Sequence, residues 1–140
     1  MVLLGAPSFP ENMGLIDSMG MMATLLEALG VEPDQSFKGV SAYAGGRDAI
    51  ISESCGHGAA DLARREIYFT VSTKNHRMMA TLGGSDLQTT ELYDIVKDPK
   101  ELVDIASDPG SAATIAALKS HIYRERADLL ALRGVKMPNN

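Results

Sequence analysis

A single cysteine, Cys55, stands in 140 residues, so no disulfide can form within the chain and cysteine usage points to no redox compartment. Positive charge is scarce too. Thirteen Lys and Arg face eighteen Asp and Glu, for a net charge of −5 and a pI near 5.1. The basic residues that gather, Arg64, Arg65, Lys74, His76 and Arg77, are diluted by nearby acids. Nucleic acid and anionic lipid ask for clustered Lys and Arg, so neither nucleic acid nor membrane is an expected partner. Residues 1–10 lack a basic leader and a sustained apolar run, which predicts no secretory signal. No stretch approaches the length of a membrane span, and the chain is expected to be soluble. Internal repeats and low-complexity segments are absent.

What is present suits a packed domain. Hydrophobic residues make up 45% and charged residues 22%, an ordinary globular balance. A chain of this length buries roughly two-thirds of its unfolded surface, and one domain over residues 1–140 is the expectation. Residues 1–14 hold Pro7, Pro10, Gly5 and Gly14 around Val2-Leu3-Leu4, a short run that could end a strand whose partners lie elsewhere.

From residue 17 to 29 the pattern turns helical. Met19, Met22, Leu25, Leu26 and Leu29 form one apolar stripe, with Asp17 or Ser18 as cap and Gly30 as the left-handed stop. Neighbouring Met21 joins Met19 and Met22 in a methionine-rich patch that reads as adaptable core filler. Residues 32–46 read as loop. Strands are predicted from the short β-branched run Ala49-Ile50-Ile51, which leads into Ser52-Glu53-Ser54, at 67–72 where Ile67, Phe69 and Val71 alternate with Tyr68, Thr70 and Ser72, at 77–82 after a turn at Lys74-Asn75, and at 90–95. Asp98-Pro99 stops the last. Ile115, Leu118, Ile122, Leu129 and Leu132 keep helical spacing, predicting one long helix over 111–132 with Ser107 or Asp108 as cap and Gly134 as stop. The fold class is α+β, a small antiparallel sheet of about four strands packed against an N-terminal helix and a long C-terminal helix.

Two stretches carry a family resemblance. Ala23-Thr24-Leu25-Leu26-Glu27-Ala28-Leu29-Gly30-Val31, with Gly39-Val40-Ser41 after it, is similar to the Pro-Thr-Leu-Leu-Asp-Leu-Ala-Gly-Ile helix and Gly-x-Ser-Leu turn of sulfatases. These are the arylsulfatase-type branch of the alkaline phosphatase superfamily. Glu91-Leu92-Tyr93-Asp94-Ile95, then Asp98-Pro99 and Glu101, resembles their Glu-Leu-Tyr-Asp-Leu-x-x-Asp-Pro-x-Glu signature. Order and spacing agree from about residue 16 to 132. Departures fall at Gly20 for the usual Asp, Ala23 for Pro, Ser72-Thr73 for Arg-Thr, His76-Arg77 for Tyr-Lys, and Asp104-Ile105 for Asn-Leu. Tyr93 is expected to pack its ring and tie its hydroxyl to backbone.

The resemblance implies the C-terminal subdomain of a sulfatase-like hydrolase, with residues 1–14 a remnant of the catalytic core. Such enzymes turn a Cys or Ser in Cys/Ser-x-Pro-x-Arg into formylglycine and hold a divalent cation, Ca²⁺ or Mg²⁺, on carboxylates. Neither feature is in this sequence. Cys55 is followed by Gly56-His57-Gly58-Ala59, which lacks the Pro and the Arg. No catalytic residue, metal ligand or cofactor is therefore assigned here; the cation belongs to the core.

Candidate substrate contacts are His57, in a glycine-rich loop of the kind that carries binding residues, and Asp61 with Arg64, suited with Arg65 to grip an anionic group. Their plainer readings are an exposed loop histidine and a solvated charged turn. A Cys55–His57 nucleophilic pair would need contact and an orienting third group. The expected partner is the catalytic core, or a second copy through exposed apolar surface. A free-standing, non-catalytic binding module reusing this subdomain is the alternative.

Overall fold

A computed structural model describes residue 8 and residues 14–32, 34, 36–54 and 66–136. The element order is α1 (Ser18–Ala28), β1 (Ala49–Ser54), β2 (Ile67–Thr73), β3 (His76–Gly83), β4 (Asp86–Asp94), one 3₁₀ turn (Pro109–Ser111), α2 (Ala112–Glu125) and α3 (Ala127–Leu132). The strands form one sheet in the order β1-β2-β3-β4, and the class is α+β as the sequence predicts. Two compact units divide the chain, Met1–Ile50 and Ile51–Asn140. No helix among the described residues is long and apolar enough to cross a membrane.

In the first unit Asp17 caps α1, its Oδ1 accepting the Gly20 amide at 2.6 Å. Gly30 ends the helix with φ +68°, the left-handed stop expected of it. The face that α1 buries is not the predicted one. Gly20, Ala23 and Thr24 are buried, whereas Met19, Met22 and Leu29 are 46%, 50% and 64% exposed. Small side chains win the inner face because a loop backbone lies against it. The Thr24 hydroxyl donates to Gly20 O at 2.7 Å and accepts from Ala42 N at 2.9 Å. A methyl group on Gly20 would stand 2.7 Å from Val40 O, so no larger side chain fits. The methionines are an outward ridge, not core filler.

The second unit is built on register. β2 and β3 pair antiparallel with Ile67, Phe69 and Val71 opposite Leu82, Ala80 and Met78, all buried. β3 and β4 are also antiparallel, with Leu82 opposite Leu87 and Met78 opposite Leu92. Three apolar rows therefore cross β2 and β3 on one face, as the period of two requires, and the two outer ones continue onto β4 through Leu87 and Leu92. β4 keeps its place by a bulge: Ala80 faces Thr89 and Met79 faces Glu91, leaving Thr90 unpaired. That extra residue changes the parity of the strand, so Leu87 and Leu92, five apart, both point inward. The sequence places the start of this strand at Thr90; it begins at Asp86, with Leu87 the one apolar residue of its first half.

The C-terminal helical segment packs on β2 through α2, burying Leu118 and Ile122. It is two helices rather than one. Arg126 adopts φ −123° and ψ 33° between them, its guanidinium held by Glu53 and, at 3.6 Å, Asp128. The kink re-aims α3, so Leu129 and Leu130 are buried and Leu132 stays exposed. Ser111 precedes α2 without a side-chain cap, and Asp108 begins the 3₁₀ turn likewise uncapped. Lys119 Nζ donates to Leu87 O at 2.7 Å and Arg133 Nε to Gly84 O at 3.1 Å, tying α2 and α3 to β4 and the turn before it.

Candidate functional site

His57, Asp61 and Arg64, with Cys55 and Arg65, lie outside the described residues. Among those described, the second resembling stretch, 91–105, holds the densest polar network. It starts on the solvent side of the sheet, opposite the apolar rows. Ser72, Arg77 and Tyr93 lie in one register row across β2, β3 and β4. Arg77 Nε donates to Ser72 Oγ at 3.2 Å, and its Nη1 forms an ion pair with Glu101. Glu101 sits at φ +54°, the one described non-glycine residue in the left-handed region. That conformation costs roughly 1 kcal/mol or more, and the Arg77 pair is one of the contacts that hold it.

Tyr93 differs from expectation at its hydroxyl, which donates to the Glu91 carboxylate at 2.7 Å and not to backbone. Both residues point to the same face, being two apart on β4. The Glu91 hydrogen bond, desolvation and the charges of Glu91, Asp104 and Glu101 push the phenol up to about 12. The group is thus protonated throughout the physiological range and offers no base.

The acids of this stretch are engaged with backbone. Asp94 Oδ1 accepts from Val96 N at 3.2 Å and Lys97 N at 3.1 Å, and hydrogen bonds from Lys97 foremost hold its carboxyl below the usual range. Asp98 Oδ2 accepts from Leu102 N at 2.6 Å and Val103 N at 2.8 Å. Asp104 Oδ1 accepts from Leu92 N and Ala106 N, both at 2.9 Å, and Ile105 N donates to Leu92 O at 2.9 Å. Residues 104–105 thereby occupy the outer edge of β4, satisfying groups an edge strand would otherwise offer to another chain. Asp104 stands where the resembling family has Asn, and the oxygen acceptor common to both side chains is what the position uses.

A hollow of about 430 Å³ lies beside these turns, lined by Asp94, Lys97, Asp98, Val103, Ile105 and Asp108. Its acids do not converge: among the described residues no group of three His, Cys, Asp or Glu side chains could hold a metal ion. The first unit has a separate groove of about 550 Å³ between the C-terminal half of α1 and residues 39–44, lined by Ala23, Glu27, Val31, Val40 and Ser41 among others. Sequence reasoning missed the Arg77–Glu101 pair and the Asp104 clamp. Only the density of Asp and Glu after β4 hinted at them, and composition does not say which carboxylate meets which amide.

This fold recurs in sulfatases, as one part of their structure. The chain matches BT1596, described as a 2-O GAG sulfatase, with a TM-score of 0.57 at 23% identity over 86% of its own length. It matches BT4656, solved with its substrate D-glucosamine-2-N,6-O-disulfate, with a TM-score of 0.54 at 20% identity over 80% of its length. A third match is a provisionally assigned sulfatase of Bacteroides thetaiotaomicron VPI-5482, with a TM-score of 0.58 at 23% identity over 86% of the chain. The chain spans about a quarter of these proteins, 24–27% of their lengths. No family model and no curated protein matches it.

Proposed function

We propose that this chain serves as the C-terminal part of a sulfatase-like hydrolase, scaffolding the enzyme and framing one side of its substrate pocket while the catalytic core supplies nucleophile and metal ligands. The observation that carries this reading is the match to about a quarter of each of three sulfatase chains. The chemistry of residues 91–105 agrees with it, because a phenol held protonated and carboxylates hydrogen-bonded to backbone amides are groups that build a scaffold. The Ca²⁺ or Mg²⁺ such an enzyme uses would sit in the core, and the chain alone would be inactive. His57, Asp61 and Arg64 are the proposed rim contacts for the anionic substrate. Sulfated sugars are the first substrates to try, since the neighbours with printed specificities act on such compounds.

The test is the reading frame that encodes the chain and the activity of its product. A Cys/Ser-x-Pro-x-Arg motif in frame upstream, with metal-dependent sulfate ester hydrolysis by the whole product, supports the proposal. In that product Arg64→Ala should raise KM at least about tenfold with kcat nearly unchanged, as loss of one charge-assisted contact made equally in ground and transition states would do. An independent start site with no such motif would instead favour a free-standing binding module.

A further inference from the structure

β4 forms one side of the sheet, yet main-chain groups at both ends of its outer edge are taken. At Leu92 the amide donates to Asp104 Oδ1 and the carbonyl accepts from Ile105 N, both at 2.9 Å. At Leu87 the carbonyl accepts from Lys119 Nζ at 2.7 Å. An incoming strand needs a run of such groups, and the stretch between positions 87 and 92 is too short to hold one. We infer that residues 98–105 are a strap that shuts the β4 edge against a second copy of this chain, with the Arg77–Glu101 ion pair as its latch and Lys119 as the plug at the other end. The inference concerns the unit Ile51–Asn140 alone and stands or falls independently of the proposed function.

Polar bonds hold the strap, with little help from burial. Leu102 and Val103 are 77% and 62% exposed, and Ile105 is half-buried. Asp98 Oδ2 gathers the Leu102 and Val103 amides, and the Asp98 carbonyl accepts from Glu101 N at 3.0 Å. That turn puts Glu101 at φ +54°, a conformation that a side chain resists. Arg77, fixed in register on β3, pairs with its carboxylate and holds it there. A segment with few buried apolar contacts opens by itself, well below the cost of unfolding the sheet, so the latch sets how often Leu92 is uncovered. The partner that fits an uncovered β4 is β4 of another copy. Two copies meet most simply about a two-fold axis, which sets the strands antiparallel, as β2, β3 and β4 already run. The middle of the strand, Leu87-Gln88-Thr89-Thr90, carries no charge, so like charges need not oppose one another there.

The experiment is amide hydrogen exchange of the full chain, read residue by residue by nuclear magnetic resonance, followed by disulfide trapping. In the unaltered chain the Leu92 amide should exchange within about tenfold of that of Val71, which pairs with Met78 in the sheet interior. Glu101→Gly keeps the left-handed turn at no steric cost and removes the latch. It should speed exchange at Leu92 and Ile105 by about tenfold or more and leave Val71 unchanged. For the edge, Thr89→Cys is placed in a chain carrying Cys55→Ser, with and without Glu101→Gly and Lys119→Met. Oxidation should link two copies about tenfold faster in the opened chain, in proportion to the time its edge is uncovered. Leu92 exchanging as fast as an unstructured amide in the unaltered chain would overturn the strap, in a protein that no substitution has touched. Leu92 unmoved by Glu101→Gly would overturn the latch. Val71 speeding up as much as Leu92 would make strap and sheet a single unit and overturn the inference as well. Fast Leu92 and slow Val71 with no faster linking of copies would overturn the second copy as the occupant.

Discussion

Tyr93 links chemistry to stability at the scale of single residues. Its folded pKa, about 12, lies above the ordinary value of 10.0. Between those values the unfolded chain releases a proton that the folded chain keeps, so this group's contribution is fully present below pH 10 and is lost as pH rises through 12. Glu91→Gln should bring the phenol back toward 10, read as the midpoint of the ultraviolet ionisation band. Asp104 makes a second residue-scale case. Asp104→Ala leaves the Leu92 and Ala106 amides without their acceptor and should cost about 1–3 kcal/mol, read as a lower urea midpoint, whereas Asp104→Asn should recover most of the loss. No sequence pattern announces either contact. The partners lie two residues apart in one case and twelve in the other, and only the strand's face and the returning chain bring them together.

At the scale of elements, periodicity was a good guide wherever one face meets a layer. Alternation in Ile67, Phe69 and Val71 and the spacing of Leu118 and Ile122 placed β2 and α2 and their buried faces. The same rule misled at α1, because an apolar stripe says that a face will be covered without saying by what. Here the covered face is made of glycine, alanine and threonine, chosen by close backbone approach, a steric fact invisible to hydropathy. Gly20 gives a sharp check. In an open helix Gly→Ala gains about 1 kcal/mol, but here the added methyl would press on Val40 O, 2.7 Å away, so Gly20→Ala should destabilise by about 1–3 kcal/mol. A rise in melting temperature would refute that close packing. The bulge at Thr90 was equally hidden, since a single inserted residue changes strand parity without changing composition. Deleting Thr90 should leave a regular ladder with Leu87 and Leu92, then four apart, both still inward, so cooperative unfolding should persist in a thermal melt; its loss would contradict the bulge.

On the scale of the whole molecule the chain is two compact units, one carrying the outward methionines of α1, the other built from sheet strands, the C-terminal helices and a set of carboxylate-capped turns. The resemblance in residues 23–31 and 91–101 gave the family of the fold, which the sulfatase structures share over a quarter of their lengths. The candidate contacts His57, Asp61 and Arg64 were legible only as residue types in a loop, since a rim is defined by what stands across the pocket from it. The account is tested most directly by assaying the purified full chain on p-nitrophenyl sulfate and p-nitrophenyl phosphate with Ca²⁺ or Mg²⁺ present. It predicts no turnover above buffer. Metal-dependent hydrolysis that persists through repurification would contradict it, and would require a nucleophile and a metal site within these 140 residues.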